Sequence, residues 1–394
     1  MIVLAGADVV LPDRLLSPGT LLLDGDRIAD LVSGARAGGG GDVHFDLPQH
    51  YIVPGFIDVH VHGVEGSDTQ DGDDAIRTIA ARMPRFGVTA FCPTTIACAP
   101  AALRGVLAAV RAARTSPPSG SARVLPAHLE SNFINPEYKG AQPLECLRPL
   151  RGGGHEGDFT GAEILDEIAA ARPDVGIVTL APELDGGLDL IRDLVSKGHH
   201  VSLGHSGASY EEAMAAIEVG ARQATHLFNR MPPLGHRQPG LAGAVLEHED
   251  VITEIVCDGV HVHPSMVRVA LAAKQTSRVM AITDGTAGSG LARGTRTVIG
   301  GRTITVGDVA TLEDGTIAGS VLTMDRAFAK LVTAMGLSLV DAVTICSTTP
   351  ARALHLRGFG VIAQGATADL VVLDRELNVV HTFIGGVLSW SRNP

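Results

Sequence analysis

The sequence predicts an α/β fold in which a (β/α)8 TIM-type barrel is joined to a small β-sandwich domain formed by both chain ends. The middle of the chain alternates short β-branched runs with amphipathic helical stretches, which is the pattern of parallel βα units. Both ends consist instead of short strands and turns. A doubly wound open sheet is the alternative, but no glycine-rich phosphate-binding fingerprint follows the first strand of the middle region.

The small domain is predicted to comprise residues 1–53 and 355–394. Its first part reads IVLAGADVVL and then GTLLLDGDRIADLV, in which the DGD triplet suits a hairpin turn. Its second part, ADLVVLDRELNVVHTFIGGVLSW, has the same texture of strands and turns. Residues 54–354 remain for the barrel domain.

Eight short runs within residues 54–354 are predicted to be the barrel strands. Amphipathic helices are predicted between them, for example PAALRGVLAAVRAAR and SYEEAMAAIEVG. Eight such units over about 300 residues suit the size of this fold. The predicted strands are GFIDVHV, VTAFCPTT, VLPAHLE, GIVTLAPE, HVSLGHS, QATHLFN, ITEIVCDG and VMAITDG.

Composition limits the classes of function. The 394 residues carry a net charge of −12 and no cluster of lysine or arginine, so we expect no nucleic-acid partner. No apolar run approaches the roughly 18 residues that a membrane helix needs, and the N-terminus lacks the basic region of a signal peptide. The five cysteines are scattered and form no CxxC pair, which is typical of reduced thiols in a cytoplasmic protein.

Histidine and acidic residues lie at the ends of five of the predicted strands. Catalytic groups of this fold sit at the C-terminal strand ends, where the strands converge on one site. Residues i and i+2 of a strand face the same way, so the two histidines of the HVH triplet point together. Each residue alone is more typical of a hydrogen-bonded core position or a helix cap, but together they form a ligand set that suits zinc, iron or manganese. The residues are His60, His62, Glu130, His205, His226 and Asp284.

The chain contains, in this order, PGFIDVHVHG, HLE, LGHS, THLFN, DGVHVHP, TDG, GTIAGSVLTMDRAF, STTPARAL and GATADLVVLD. These motifs resemble the amidohydrolase superfamily and, more narrowly, its N-acetylglucosamine-6-phosphate deacetylase branch, over nearly the whole chain. The resemblance implies one or two divalent metals, and two are expected here because the chain has both HVH histidines, with zinc as the expected ion. Glu130, His205 and His226 would hold the metal common to the family. His60 and His62, with Glu130 and Asp284, would hold a second.

The resemblance also implies a reaction: removal of the acetyl group from an N-acetyl amino sugar 6-phosphate. N-acetylglucosamine-6-phosphate would give glucosamine-6-phosphate and acetate. Bound metal can lower the pKa of water to about 7, and Asp284 would take the water's proton and pass it to the leaving nitrogen. Asn229 would contact the phosphate and His261 the ligand. Arg237 would reach across from the neighbouring subunit of a homodimer.

The chain departs from the family pattern beside Glu130. The family reads HLEGPF and then GAH or GTH, whose histidine contacts the substrate carbonyl, whereas this chain reads HLESNF and GAQ. Gln142 takes the place of that histidine, and a neutral amide can donate a hydrogen bond but cannot carry a proton. Ser131 and Asn132 replace glycine and proline and are expected to add polar side chains near the mouth of the site. Arg230, in FNRM, puts a cation beside the phosphate position.

These departures leave three hypotheses about function open. The first is deacetylation of an amino sugar 6-phosphate. The second keeps the metal-dependent hydrolysis but acts on a different substrate, such as another N-acyl amine, a cyclic amide or a base that is deaminated. The third is a non-catalytic binding protein descended from an enzyme, and the complete set of metal-ligand positions with Asp284 argues against it.

Overall fold

The computed structural model describes residues 1–34, 42–72, 74–149 and 158–392. The first five strands belong to a sheet that is separate from the barrel. β1, β2 and β3 form an antiparallel meander, while β4 and β5 run parallel to β1. The predicted DGD turn joins β2 to β3. The strands are β1 Ile2–Val10, β2 Leu15–Asp24, β3 Arg27–Ser33, β4 Val43–Asp46 and β5 Tyr51–Pro54.

The eight predicted runs of the middle region all contain strands of one parallel barrel, which confirms the predicted fold. The barrel order is β6, β9, β11, β12, β13, β14, β15 and β16. The short β7 and β8 form a separate hairpin, and β10 pairs with β9. In chain order the strands are β6 Phe56–Val61, β7 Gly63–Val64, β8 Ser67–Asp68, β9 Val88–Thr95, β10 Arg123–Val124, β11 Ala127–Glu130, β12 Val175–Leu180, β13 His200–Leu203, β14 Gln223–Ala224, β15 Ile252–Val256 and β16 Val279–Ile282.

The barrel closes between β6 and β16 through a bridge from Val61 to Gly285. The N–H of Asp284 donates to the carbonyl of His60 over 2.9 Å, and the N–H of His62 donates to the carbonyl of Gly285 over 2.7 Å. This closure places Asp284 directly beside the HVH triplet, although the two are more than 200 residues apart in sequence.

The helices form because they combine an apolar stripe with local caps. In α2 the buried residues Leu103, Val106, Leu107 and Val110 recur every three or four positions, so one face packs on the barrel. α3 and α5 begin with capping boxes, in which a threonine or serine and a glutamate satisfy backbone N–H groups reciprocally. None of the helices in the described ranges is both long and apolar enough to cross a membrane.

The described ranges contain ten α-helices, labelled α1 to α10 in chain order. A single π-helical turn, Thr344–Thr348, joins the last two. They are α1 Ala75–Arg82, α2 Pro100–Thr115, α3 Gly161–Ala170, α4 Gly187–Ser196, α5 Tyr210–Glu218, α6 Gly240–Glu247, α7 Pro264–Lys274, α8 Met324–Thr333, α9 Leu339–Val343 and α10 Thr349–Ala353.

A three-stranded antiparallel sheet, absent from the sequence prediction, is inserted between β16 and α8. It consists of β17 Arg296–Ile299, β18 Arg302–Val306 and β19 Ala310–Thr311. Its apolar residues form a small core of their own together with Ile96, which follows β9. The inserted sheet therefore lies on the side of the barrel where the strands end.

Three C-terminal strands complete the first sheet, in the order β22, β21, β20, β5, β1, β2 and β3. They are β20 Leu370–Leu373, β21 Val379–Ile384 and β22 Val387–Ser391. Leu370 and Val372 point into the core of this β-sandwich, whereas Val371 and Leu373 belong to the barrel core. All its strands lie within residues 1–53 and 355–394 except that β5 extends to residue 54, and the domain boundaries themselves stay a prediction.

Candidate active site

The six residues predicted from the strand ends come together at the C-terminal end of the barrel. In one half of the cluster Glu130 Oε1 lies 2.8 Å from His205 Nε2 and 2.9 Å from His226 Nε2. The two imidazole nitrogens lie 3.0 Å from each other. Three ligand atoms from three different strand ends thus face one point, and we call Glu130, His205 and His226 the first half-site.

The second half of the cluster contains the HVH histidines. His60 Nε2 lies 3.3 Å from His62 Nε2, and Asp284 Oδ1 lies 3.4 Å from the former and 3.3 Å from the latter. Glu130 joins the two halves, because its Oε2 lies 3.7 Å from His62 Nε2 and its Oε1 lies 3.9 Å from His60 Nε2. We call His60, His62, Asp284 and the shared Glu130 the second half-site.

The hydrogen bonds around the histidines show that these residues fit a metal ion. His205 Nδ1 contacts the carbonyl of Tyr138 over 2.8 Å, and a carbonyl can only accept, so Nδ1 carries the proton. In a neutral ring Nε2 then presents a lone pair to the cluster. The Nδ1 atoms of His62 and His226 are buried and have no hydrogen-bond partner among the described residues. Facing imidazole nitrogens with a carboxylate between them require a shared positive charge, which a divalent cation supplies.

Two groups in the cluster meet the geometric requirement for a bound ion: Glu130 with His205 and His226, and Glu130 with His60 and His62. In each, the ligand atoms all lie within 4.8 Å of one another and every residue is buried. The chain therefore has clusters that could hold a metal ion.

The charges of the cluster shift its pKa values. Burial alone would raise the pKa of Glu130, but the charge of His205 and hydrogen bonds from His205 and His226 hold that pKa well below its usual value. Burial alone would lower the pKa of His60, but Glu254 first, and then Asp284 and Glu130, raise it to about 10. Without a metal ion, a proton on His60 thus provides part of the positive charge that the carboxylates need.

Three of the six residues adopt left-handed backbone conformations, which are uncommon outside glycine. The φ values are 48° at His205, 30° at His226 and 49° at Asp284. Such conformations persist only where surrounding structure imposes them, and they concentrate at functional sites. Each of these residues lies two positions beyond the last residue of a barrel strand, so the turn of the chain there points the side chain across the barrel mouth.

A buried polar layer lies beneath the cluster, and two of its members, Glu254 and Asp58, were not predicted from the sequence. Glu254 Oε2 accepts a hydrogen bond from His60 Nδ1 over 2.9 Å and is fully buried. Asp58 accepts from the hydroxyl of Thr283 over 2.6 Å, and its burial raises its pKa to about 7. His128 contacts the carbonyl of Val59 and the hydroxyl of Thr179. A glutamate in the middle of the β-branched run ITEIV, where a charged residue is rarely buried without a partner, is a signal that could have revealed Glu254.

The predicted substrate residues separate into two groups. Gln142, Asn229, Arg230 and His261 line a cavity of about 460 Å³, whose floor includes Glu130, His205, His226 and Asp284. His261 Nδ1 lies 2.6 Å from Asp258 Oδ2, which fixes the ring at the cavity wall. Arg237 is exposed and does not line this cavity of its own chain. Ile299 of β17 and Ile317, beyond β19, are apolar residues of the wall that the sequence prediction missed.

The three residues that depart from the family pattern beside Glu130, namely Ser131, Asn132 and Gln142, all make hydrogen bonds within the protein. Gln142 is buried; its Oε1 accepts from the N–H of Ala97 over 2.7 Å, and its Nε2 donates to Glu130 Oε2. Ser131 and Asn132, expected near the mouth, are buried and do not line the cavity. Ser131 Oγ donates to the carbonyl of Thr179, and Asn132 Nδ2 donates to the carbonyls of Cys98 and Cys146 over 2.8 and 2.7 Å. Both hold the loop because buried carbonyls there need donors.

A parallel barrel with such a ligand set and an aspartate at its last strand defines a metal-dependent hydrolase. The sequence profile of the amidohydrolase family matches residues 51–388. The chain belongs to this family, in its N-acetylglucosamine-6-phosphate deacetylase branch, as the following similarities show.

Two relatives and one solved structure illustrate the similarity. The N-acetylglucosamine-6-phosphate deacetylase of Rattus norvegicus is 35% identical over 391 residues, which cover 96% of this chain and 90% of that protein. The N-acetylgalactosamine-6-phosphate deacetylase of Escherichia coli O157:H7 is 33% identical over 340 residues, which cover 86% and 87%. A mutant N-acetyl-D-glucosamine-6-phosphate deacetylase from Mycobacterium smegmatis, in complex with N-acetyl-D-glucosamine-6-phosphate, superimposes with a TM-score of 0.88, 32% identity and 99% coverage of both chains.

Proposed function

We propose that this protein hydrolyses the acetamide of an N-acetyl amino sugar 6-phosphate, releasing acetate and the free amine. N-acetylglucosamine-6-phosphate is the proposed substrate, since relatives named for that reaction match the chain over most of its length. The observation that carries the proposal is the position of Asp284 Oδ1, 3.3 to 3.4 Å from the HVH histidines and at the floor of the cavity.

Two divalent ions per chain, most suitably zinc, are part of the proposal. Imidazole and carboxylate ligands suit zinc, and iron and manganese accept the same donors. The first half-site would hold one ion and the second half-site the other, with Glu130 shared. When bound, such an ion supplies Lewis acidity, which lowers the pKa of a coordinated water and polarises a carbonyl.

Asp284 acts as the general base and then as the general acid in the proposed reaction. Burial alone would raise its pKa, but the hydrogen bond with His62 and the charge of His60 hold that pKa below its usual value, so the group is ionised, the form that a general base requires. Asp284 takes a proton from the attacking water and delivers it to the amide nitrogen. The nitrogen then leaves as a neutral amine, because an amine anion is too poor a leaving group.

The cavity wall provides the proposed contacts to the sugar phosphate. Arg230, which is exposed, and Asn229 both line the cavity, and we propose that they contact the phosphate. His261 faces the sugar, and burial would lower its pKa, but the hydrogen bond to Asp258 raises it, which favours the charged form beside an anion. Arg237 would complete the phosphate site from the other subunit of a homodimer. Four of the five thiols are buried, which suits the reducing cytoplasm that we propose as the location.

A substrate panel on metal-loaded protein tests the proposal. We expect acetate release from N-acetylglucosamine-6-phosphate with a kcat/KM about 10- to 100-fold above that for unphosphorylated N-acetylglucosamine, the range that one hydrogen bond to a charged group provides. N-acetylgalactosamine-6-phosphate, a cyclic imide and an aminopurine complete the panel, and Asp284→Asn serves as the inactive control. Equal cleavage of phosphorylated and unphosphorylated sugars, or turnover of the imide or purine alone, would contradict the proposed substrate.

A further inference from the structure

Glu254 lies below the cluster of histidine and carboxylate side chains and contacts both of its halves. On the side of the second half-site, its Oε2 lies 2.9 Å from His60 Nδ1. On the side of the first half-site, the backbone N–H of His226 donates to the same oxygen over 3.3 Å, and the N–H of Leu227 donates to the carbonyl of Glu254 over 2.9 Å. Glu254 is on β15 and has no contact with the cavity, since it is fully buried and does not line it.

The contacts of Glu254 determine which nitrogen of His60 faces the cluster. An ionised carboxylate only accepts hydrogen bonds, so the proton of His60 stays on Nδ1. The Nε2 lone pair then points at His62, Asp284 and Glu130. A carboxylate in this relation to a histidine fixes the ring orientation and raises its basicity as a ligand.

The other oxygen of Glu254 is fixed as well. Gln223 Nε2 donates to Oε1 over 2.6 Å. His128 Nδ1 lies 3.7 Å from Oε1, which makes His60, His128 and Glu254 a third group of metal-ligand residue types. Both nitrogens of His128 are, however, engaged by Val59 and Thr179. This third group is therefore a hydrogen-bonded support and not an ion site.

We infer that Glu254 is a positioning residue that sets the tautomer and orientation of His60. The inference rests on the proposed metal-dependent function, since it concerns a ligand of the proposed second ion. Removing the carboxylate lets the His60 ring rotate or move its proton to Nε2. The affinity of the second half-site for zinc should fall about 10- to 100-fold, the usual effect of removing the hydrogen-bond acceptor of a metal-binding histidine. The first half-site loses only one long backbone contact and should keep its ion.

The experiment compares metal binding by wild type, Glu254→Gln and Glu254→Asp, each stripped of metal and titrated with zinc by calorimetry. Metal content after dialysis is measured in parallel by mass spectrometry. We expect two binding events in the wild type, and a second event weakened 10- to 100-fold in Glu254→Gln with the first unchanged. Glu254→Asp keeps the charge and should restore part of the lost affinity.

Asp58→Asn is the matched control, because Asp58 is equally buried and lies two residues from His60. Among the described residues, Asp58 accepts hydrogen bonds from the hydroxyl and N–H of Thr283 and from the N–H of His60, and none from an imidazole. This control should leave both binding events unchanged. Thermal unfolding of the metal-free proteins checks that every variant is folded.

The outcomes separate the two proposals. A wild type that binds no ion contradicts the metal-dependent function itself. A wild type with two ions and a Glu254→Gln variant with the same two affinities overturns the inference about Glu254 and leaves the function standing. The inference is also overturned if Glu254→Gln weakens both zinc-binding events equally, or if Asp58→Asn weakens the second event as much as Glu254→Gln does. Either result would show that the effect is not specific to the contact between Glu254 and His60.

Discussion

At the residue scale, Gln142 shows how a substitution in the site can be absorbed. Its amide makes two hydrogen bonds at once, to the N–H of Ala97 and to Glu130 Oε2. Glu130 Oε1 faces His205 and His226, so Gln142 holds the carboxylate in the orientation that the first half-site needs. A neutral imidazole could make the same pair of contacts, with one nitrogen donating and the other accepting.

Replacing Gln142 tests this role. In Gln142→Leu, a side chain of similar size makes neither hydrogen bond, and the buried N–H of Ala97 loses its partner. We expect a loss of about 1–3 kcal/mol in the free energy of unfolding, together with weaker zinc binding at the first half-site. Denaturant titration of the metal-free protein and calorimetric zinc titration measure the two effects. Gln142→His should recover both, and a Gln142→Leu variant that matches the wild type in both would contradict the role.

Residues at the strand ends could be predicted because their chemistry and position coincide. His60, His62 and Glu130 each end an apolar run, and strand geometry brings such ends together. The left-handed backbones at His205, His226 and Asp284 could not be predicted, since φ there is imposed by contacts between distant segments. The orientations of Ser131 and Asn132 likewise depend on carbonyls supplied by other loops.

At the element scale, the inserted sheet β17–β19 closes one side of the cavity. It is held by a small core in which Ile304 is fully buried, while Ile299 reaches the cavity wall. The sequence carries a signal for the β17–β18 hairpin, because the pair Gly300-Gly301 stands between two β-branched runs. In the structure both glycines adopt the positive φ that such a turn needs. The three strands were not predicted, because they follow the eighth barrel strand and lie outside the repeating βα pattern from which the barrel was predicted.

Ile304→Ala tests whether this sheet is an independent small unit. The truncation leaves a void in the small core, and such a change commonly costs about 2–5 kcal/mol. Because that core is separate from the barrel core, we expect faster hydrogen exchange in β17 and β18, unchanged exchange in the barrel strands, and a severalfold higher KM. Leu388→Ala, an exposed position on β22, is the control. Faster exchange throughout the barrel would show that the sheet does not open alone.

At the scale of the whole molecule, an anionic substrate must approach a chain with a net charge of −12. Attraction then depends on cations placed at the cavity, and in one chain these include Arg230 and His261. Arg237 is exposed outside the cavity. A second copy of the chain is therefore the proposed route by which Arg237 takes part in phosphate binding, as in a symmetric dimer where each site borrows a residue from its partner.

Mixed dimers distinguish a contribution of Arg237 within its own chain from one across the interface. Arg237→Ala should raise KM for the phosphorylated substrate, and Asp284→Asn should abolish turnover. In a dimer with one chain of each variant, the Arg237→Ala subunit keeps Asp284 and would receive Arg237 from its partner. One complete site per dimer then gives about half the wild-type activity at low substrate, by symmetry. If Arg237 acts within its own chain, neither site is complete, and activity falls to about half that of the Arg237→Ala protein, because only one subunit per dimer keeps Asp284. The purified wild type must also sediment as a dimer, since a monomer with full activity would exclude the shared site.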